Sequence, residues 1–205
     1  MIYHGGRALL LVSGDWDDYT AFAALVAGVT LLLSAGIVMA WTVGREFSDG
    51  TIVGLFALPT TRGSVAAAKV GACTAWGGAV STAASSACAF GGVALGLPPG
   101  GALRCWASLL TVGGAVVLAA LPTMWVATRW RGYLPGIGAT LAAVVVTNLA
   151  AGFGLGRWLP WAVPTLWAVP ASGTPALALL LPLATGLIGV YATCRAWAGL
   201  ELGGR

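Results

Sequence analysis

Residues 44–69 read GREFSDGTIVGLFALPTTRGSVAAAK and hold Arg45, Glu46, Asp49, Arg62 and Lys69. Charges this dense, around an apolar middle, suit ion pairing and the docking of a partner more than bond chemistry. Elsewhere the candidates are sparse. His4 is the single histidine, so no Ser/His/Asp set forms around a second one. Asp15, Asp17 and Asp18 stand close together and could draw a cation, but a solvated loop is the simpler reading. Cys73, Cys88, Cys105 and Cys194 lack metal-ligand spacing and read as small apolar packers without a disulfide. No metal site is expected. A phosphate-cradling loop needs Gly-x-x-x-x-Gly-Lys-Ser/Thr, and Lys69 follows Ala68 with no such frame.

The elements that position these residues follow from composition. Of 205 residues, 59% are hydrophobic and 8% charged, against about 25% charged in a soluble domain. Lipid is the natural solvent for such a surface. A bilayer core about 30 Å thick is crossed by about 20 apolar helical residues. Charge-free stretches of that length recur, and they place five spans near 20–43, 66–96, 106–128, 135–155 and 176–197. The alternation of a membrane β-barrel is missing, so the expected fold is an all-α polytopic bundle in one transmembrane domain.

Orientation follows from the positive-inside rule. With residues 44–65 in the cytoplasm, Arg45, Arg62, Lys69, Arg129, Arg131, Arg195 and Arg205 lie inside, and Arg7, Arg104 and Arg157 outside. Trp41, Trp125, Trp130 and Trp197 then mark inner ends, and Trp16, Trp106, Trp158, Trp161 and Trp167 outer ends. An indole at headgroup level keeps its ring apolar and its N–H wet. Trp76 fits neither belt and is expected to face a neighbouring helix.

Between the first two spans, Ile52, Leu55 and Phe56 share one helical face. Thr51 or Asp49 caps the start beside a Gly50 hinge, and Pro59 ends the helix. Thr61 or Ser64 caps the next span, and Lys69 reaches back towards the headgroups. The segment resembles the coupling segment of the permease subunit of an ABC transporter of the type-2 exporter class. The resemblance lies in Glu46 with Phe47, Gly50 with Thr51, an apolar stretch through Leu55 and Phe56 to Leu58 and Pro59, Thr61 with Arg62, and Lys69.

That resemblance implies a cytoplasmic coupling helix at residues 51–58, gripped by a separate ABC ATPase that carries ATP and magnesium. This chain then binds no cofactor and is no enzyme. It implies four further spans, an outer re-entrant segment at 156–175, a dimer or permease pair, and an exported drug, antibiotic, peptide or lipid-like substrate. Expected partners are the ATPase, a second permease subunit and lipid, with no nucleic acid. Similar permeases have six spans, so a first span is expected upstream, or the chain is a five-span variant. Gly, Ala and Trp usage points to a bacterial plasma membrane. The alternative function is a non-transporting scaffold or sensor that binds a cytoplasmic partner.

Within the spans, Asn148 beside Thr147 reads as interhelical glue or as part of a substrate path with Ser81 and Ser85. Four-residue spacing of Gly77, Ser81 and Ser85, and of Gly152 and Gly156, favours close packing, at a dimer seam or an internal contact. Pro122 and Pro182 interrupt the third and fifth spans as static kinks. No span offers the ionisable residues of an intramembrane enzyme or a proton-coupled carrier.

Overall fold

The computed structural model describes residues 15–55 and 59–200. His4, Arg7, Phe56, Leu58 and Arg205 lie outside the described residues. The architecture is the expected all-α bundle, with no strand among the described residues. Its helices are α1 (Trp16–Ser48), α2 (Ile52–Leu55), α3 (Arg62–Ala94), α4 (Ala102–Ala120), α5 (Pro122–Arg129), α6 (Tyr133–Gly152), α7 (Val163–Trp167) and α8 (Leu180–Ala198).

Four helical stretches are long and apolar enough to cross a membrane: Trp16–Ser48, Pro99–Arg129, Tyr133–Gly152 and Ala176–Ala198. α3 is not among them, because Ser, Thr and Gly dilute its apolar content. It is nevertheless 33 residues long, roughly 50 Å at 1.5 Å per residue. It also runs antiparallel along the whole of α1. Near its start the Lys69 ammonium meets Glu46 at the end of α1 (2.8 Å). Near its end Cys88 accepts a hydrogen bond from the Tyr19 hydroxyl at the start of α1 (2.8 Å). The two helices therefore lie side by side over most of their length.

The core lies where α1, α4 and α5 meet. Met39, Val43, Val112, Val116 and Met124 are fully buried there. Glycine lets the backbones approach. A Cβ at Gly77 would fall 2.6 Å from Val117, and one at Gly136 2.6 Å from the Ala40 methyl. Burying such residues in lipid gains mainly dispersion contacts, so close approach matters more than apolar area.

The two prolines behave differently from one another. Pro122 separates α4 from α5, and Leu121 N–H turns to the Leu118 carbonyl instead of continuing the α pattern (3.1 Å). Pro182 does not interrupt its span. It sits in the first turn of α8, where an absent N–H breaks no helical bond.

Several tryptophans also depart from the belt, among them Trp16, which is buried and donates its indole N–H to the Pro98 carbonyl (2.7 Å). Trp197 is 1% exposed, buried where an inner anchor was expected. Trp76, expected against a neighbouring helix, is 39% exposed. Trp41, Trp130 and Trp158 are exposed at helix ends, as interfacial indoles are.

At the other end, residues 156–175 do not simply cover the bundle. Ala162, Val163, Pro164 and Thr165 are buried, and the Thr165 methyl sits on Gly28. Gly28 is twelve residues beyond Trp16 in α1, so α7 is wedged about 18 Å down that helix. The Trp161 indole donates to the Ala119 carbonyl (2.9 Å), which satisfies its polar N–H within the packed bundle.

Candidate functional site

The C-terminal end of α1 and the N-terminal end of α3 bring Glu46, Thr51 and Lys69 together. Glu46 lies in the last turns of α1, and Lys69 two turns into α3. Helices this close place the two side chains tip to tip. Lys69 Nζ donates to Glu46 Oε1 (2.8 Å) and to the Thr42 carbonyl (3.1 Å). The Thr51 hydroxyl donates to the other carboxylate oxygen, Oε2 (2.6 Å). The ion-paired side chains retain 18% and 17% exposure for Lys69 and Glu46. Lys69 therefore does not extend to the headgroups as expected. Its ammonium is shielded and would be costly to leave without a partner.

This clasp fixes the start of the 49–61 segment. Thr51 was expected to cap α2, but its hydroxyl is directed backwards to Glu46. Gly50 between them adopts φ +69°, a left-handed turn that a side chain would strain. α2 follows as one turn ending at Leu55, Thr51 and Pro59 are exposed, and Phe56 lies outside the described residues. At the far end Thr61 caps α3, accepting from the Ser64 N–H (3.3 Å). The segment is thus hung between a clasp and a helix cap.

Phe47 and Arg62 face a second contact. The Phe47 ring meets Trp197 edge-on, with centroids 6.1 Å apart. Trp197 Nε1 donates to the Thr128 hydroxyl (3.0 Å), and the Arg62 guanidinium donates to the Leu200 carbonyl. The end of α8 is thereby joined to α1, α3 and α5 directly beneath the segment. Sequence reasoning missed Trp197, Thr128 and Thr42. The indole was visible but looked like a lipid anchor, and nothing in the sequence placed Thr128 opposite it. Arg45 stands outside the clasp, stacked over Trp41 at 4.5 Å.

The other candidates are not brought together. Ser81 and Ser85 are buried in the α3–α4 contact. Ser85 donates to the Ser81 carbonyl (2.7 Å), and a Cβ at Gly113 would lie 2.7 Å from Ser81 Oγ. This is packing between two helices of one chain. Asn148 is exposed on α6, and its amide donates to the Val144 carbonyl (2.8 Å). It lies near the outer end of its helix rather than in the middle of the span. Gly156 is buried under Leu166, while Gly152 touches nothing. Among the described residues no three His, Cys, Asp or Glu side chains gather as a metal site.

A helical bundle with several long apolar helices and a clasped segment between two of them suits a membrane subunit. The family model described as ABC-2 family transporter protein matches residues 11–147. The chain belongs to that family. The match runs from before α1 into α6 and so includes the clasp and the segment it holds. An ABC-2 permease is a membrane subunit, and the family implies association with an ABC ATPase. No curated protein matches the chain, and no solved structure does.

Proposed function

We propose that this ABC-2 permease subunit exports its substrate across a bacterial plasma membrane, driven by a separate cytoplasmic ATPase that docks on residues 51–58. The clasp carries the reading. Glu46, Thr51 and Lys69 tie the docking segment to two long helices at once. A push on α2 therefore reaches α1 directly and α3 through Lys69. The end of α8 shares the load through Phe47, Trp197 and Arg62. ATP and magnesium belong to the partner, and its closure would move the bundle as a rigid body between inward- and outward-open states. Five crossings and a cytoplasmic 44–65 segment are part of this reading. So is a drug, antibiotic, peptide or lipid-like substrate passing between paired permeases.

Docking needs an apolar knob, and Leu55 with Phe56 supplies it, steered by Asp49 and Arg62. Phe56→Asp should abolish co-purification with the ATPase and the permease's effect on ATP hydrolysis, while the amount inserted in the membrane stays the same. If unaltered chain and candidate ATPase never associate in membranes, the transport reading fails and a scaffold or sensor role replaces it.

A further inference from the structure

A cavity of about 530 Å³ opens at the end of the bundle opposite the clasp. It lies between the first turns of α1, the first turns of α4 and the chain that leaves α7. Thr20 and Cys105, both buried, line its deep side, and Ser108 adds a second hydroxyl. Asp15 and Asp17 stand on the α1 side, Arg104 on the α4 side, and Trp167 on the third. Opposite charges around one opening could pair with each other. Here they do not: among the described residues neither carboxylate and no guanidinium nitrogen has an ion pair or a side-chain hydrogen bond.

The helices account for these charges unequally. Asp17, in the first turn of α1, is stabilised by the positive end of that helix's dipole. Arg104 is the third residue of α4 and meets the same end of its own helix with the wrong sign. No acidic residue in that turn offsets it, and no side chain caps the helix. A bound anion would be held by the guanidinium and the helix end together. Across the cavity, two carboxylates and two hydroxyls offer acceptors to a group rich in N–H donors.

We propose that this cavity binds a zwitterion of the phosphoethanolamine type, its phosphate on Arg104 and the start of α4 and its ammonium between Asp15 and Asp17. The ammonium is primary. Carboxylates and hydroxyls accept its three N–H bonds, whereas a trimethylammonium donates none and seeks aromatic faces. Trp167 supplies one such face, but the Trp16 ring packs against Gly92 and Gly101. Other cavities do not fit this chemistry. The α1–α3 groove beside Phe22 and Val26 has about 480 Å³ but no charged lining residue. The groove between α1, α6 and α7 has about 70 Å³, too little for a headgroup. The site lies a helix length from the clasp, and the inference does not rest on the transport reading.

Two sources carry this group, a phospholipid headgroup and a free solute. Calorimetry on the full chain, purified in a non-ionic detergent, tests the group itself with glycerophosphoethanolamine. It should bind saturably, and glycerophosphocholine roughly ten-fold more weakly. Arg104→Gln, and Asp15→Asn combined with Asp17→Asn, should each weaken binding roughly ten-fold, the loss of a hydrogen bond to a charged group. All three side chains are exposed, so these variants should melt like wild type. Native mass spectrometry separates the sources. Retention of phosphatidylethanolamine over phosphatidylglycerol, with the preference lost in the paired Asp variant, identifies the lipid. Binding of the soluble probe without such retention identifies a free solute. Either result supports the site. Absence of both would overturn it, as would binding that the substitutions leave unchanged or that the choline compound matches.

Discussion

The two ends of this bundle are held by opposite means. The end that is inner in the proposed orientation is held by charge: Glu46, Lys69 and Thr51 form short polar contacts among partly exposed groups. The outer end is held by fit: Thr165 seats on Gly28, and Trp161 reaches the Ala119 carbonyl from within the packed wedge. Polar contacts of this kind can be exchanged for a partner's groups, although deleting one member outright leaves the other charge unpaired. A wedge of side chains about 18 Å deep cannot move without opening voids. Under the proposed function, the contrast puts the exchangeable contacts at the end where the ATPase docks and the rigid wedge at the opposite end.

The largest expected effect breaks the inner end. Glu46→Ala leaves the Lys69 ammonium shielded, with the Thr42 carbonyl as its remaining partner, and should cost about 3 kcal/mol, the lower end for a buried pair that loses one partner. Thermal unfolding of the purified chain would measure it. Removing both charges, as Glu46→Leu with Lys69→Met, should recover most of the loss, because no charge then remains unpaired. A double variant as unstable as the single one would show that the two side chains do not act together.

Breaking the outer end should cost somewhat less and should respond to a different remedy. Gly28→Ala places a methyl against the Thr165 side chain and should destabilise the chain by about 2 kcal/mol, the middle of the overpacking range. Thr165→Ser removes the opposing methyl but keeps the hydroxyl, which donates to the Ala162 carbonyl (2.8 Å). The pair Gly28→Ala with Thr165→Ser should therefore approach wild-type stability. A charge change at Glu46 should not rescue it. Rescue from the inner end would mean that the two ends are not mechanically separate.

The sequence disclosed the inner site better than the outer one. Stretches without charge locate helices because lipid forbids unpaired charge, and Glu46, Thr51 and Lys69 stand at recognisable intervals. What stayed hidden was direction. Lys69 is 23 residues from Glu46, and only the antiparallel contact of α1 and α3 turns it inward rather than towards lipid. Trp197 was misplaced for a similar reason, since a tryptophan at a helix end looks the same whether it faces headgroups or Thr128. The wedge was legible as a proline-rich interruption, but its depth depends on Gly28 lacking a side chain opposite Thr165. Pro182 looked like a kink because sequence alone set the helix start a turn too early.

The smallest effect on stability is expected at Thr51, and it sharpens the comparison most. Thr51→Val keeps the shape and removes the hydroxyl that reaches Glu46. Thr51 is exposed, and its loss should cost no more than about 1 kcal/mol, a net hydrogen bond. The Glu46–Lys69 pair remains, so the helices stay joined while the segment between them loses its tether. Amide exchange should then quicken at Gly50 to Leu55 and stay unchanged around Thr165. Gly28→Ala should give the reverse pattern, fast exchange at the wedge and none added at the clasp. If Thr51→Val leaves exchange at Gly50 unchanged, the tether does not hold the segment, and a push from below would have no path to Glu46 through that hydroxyl.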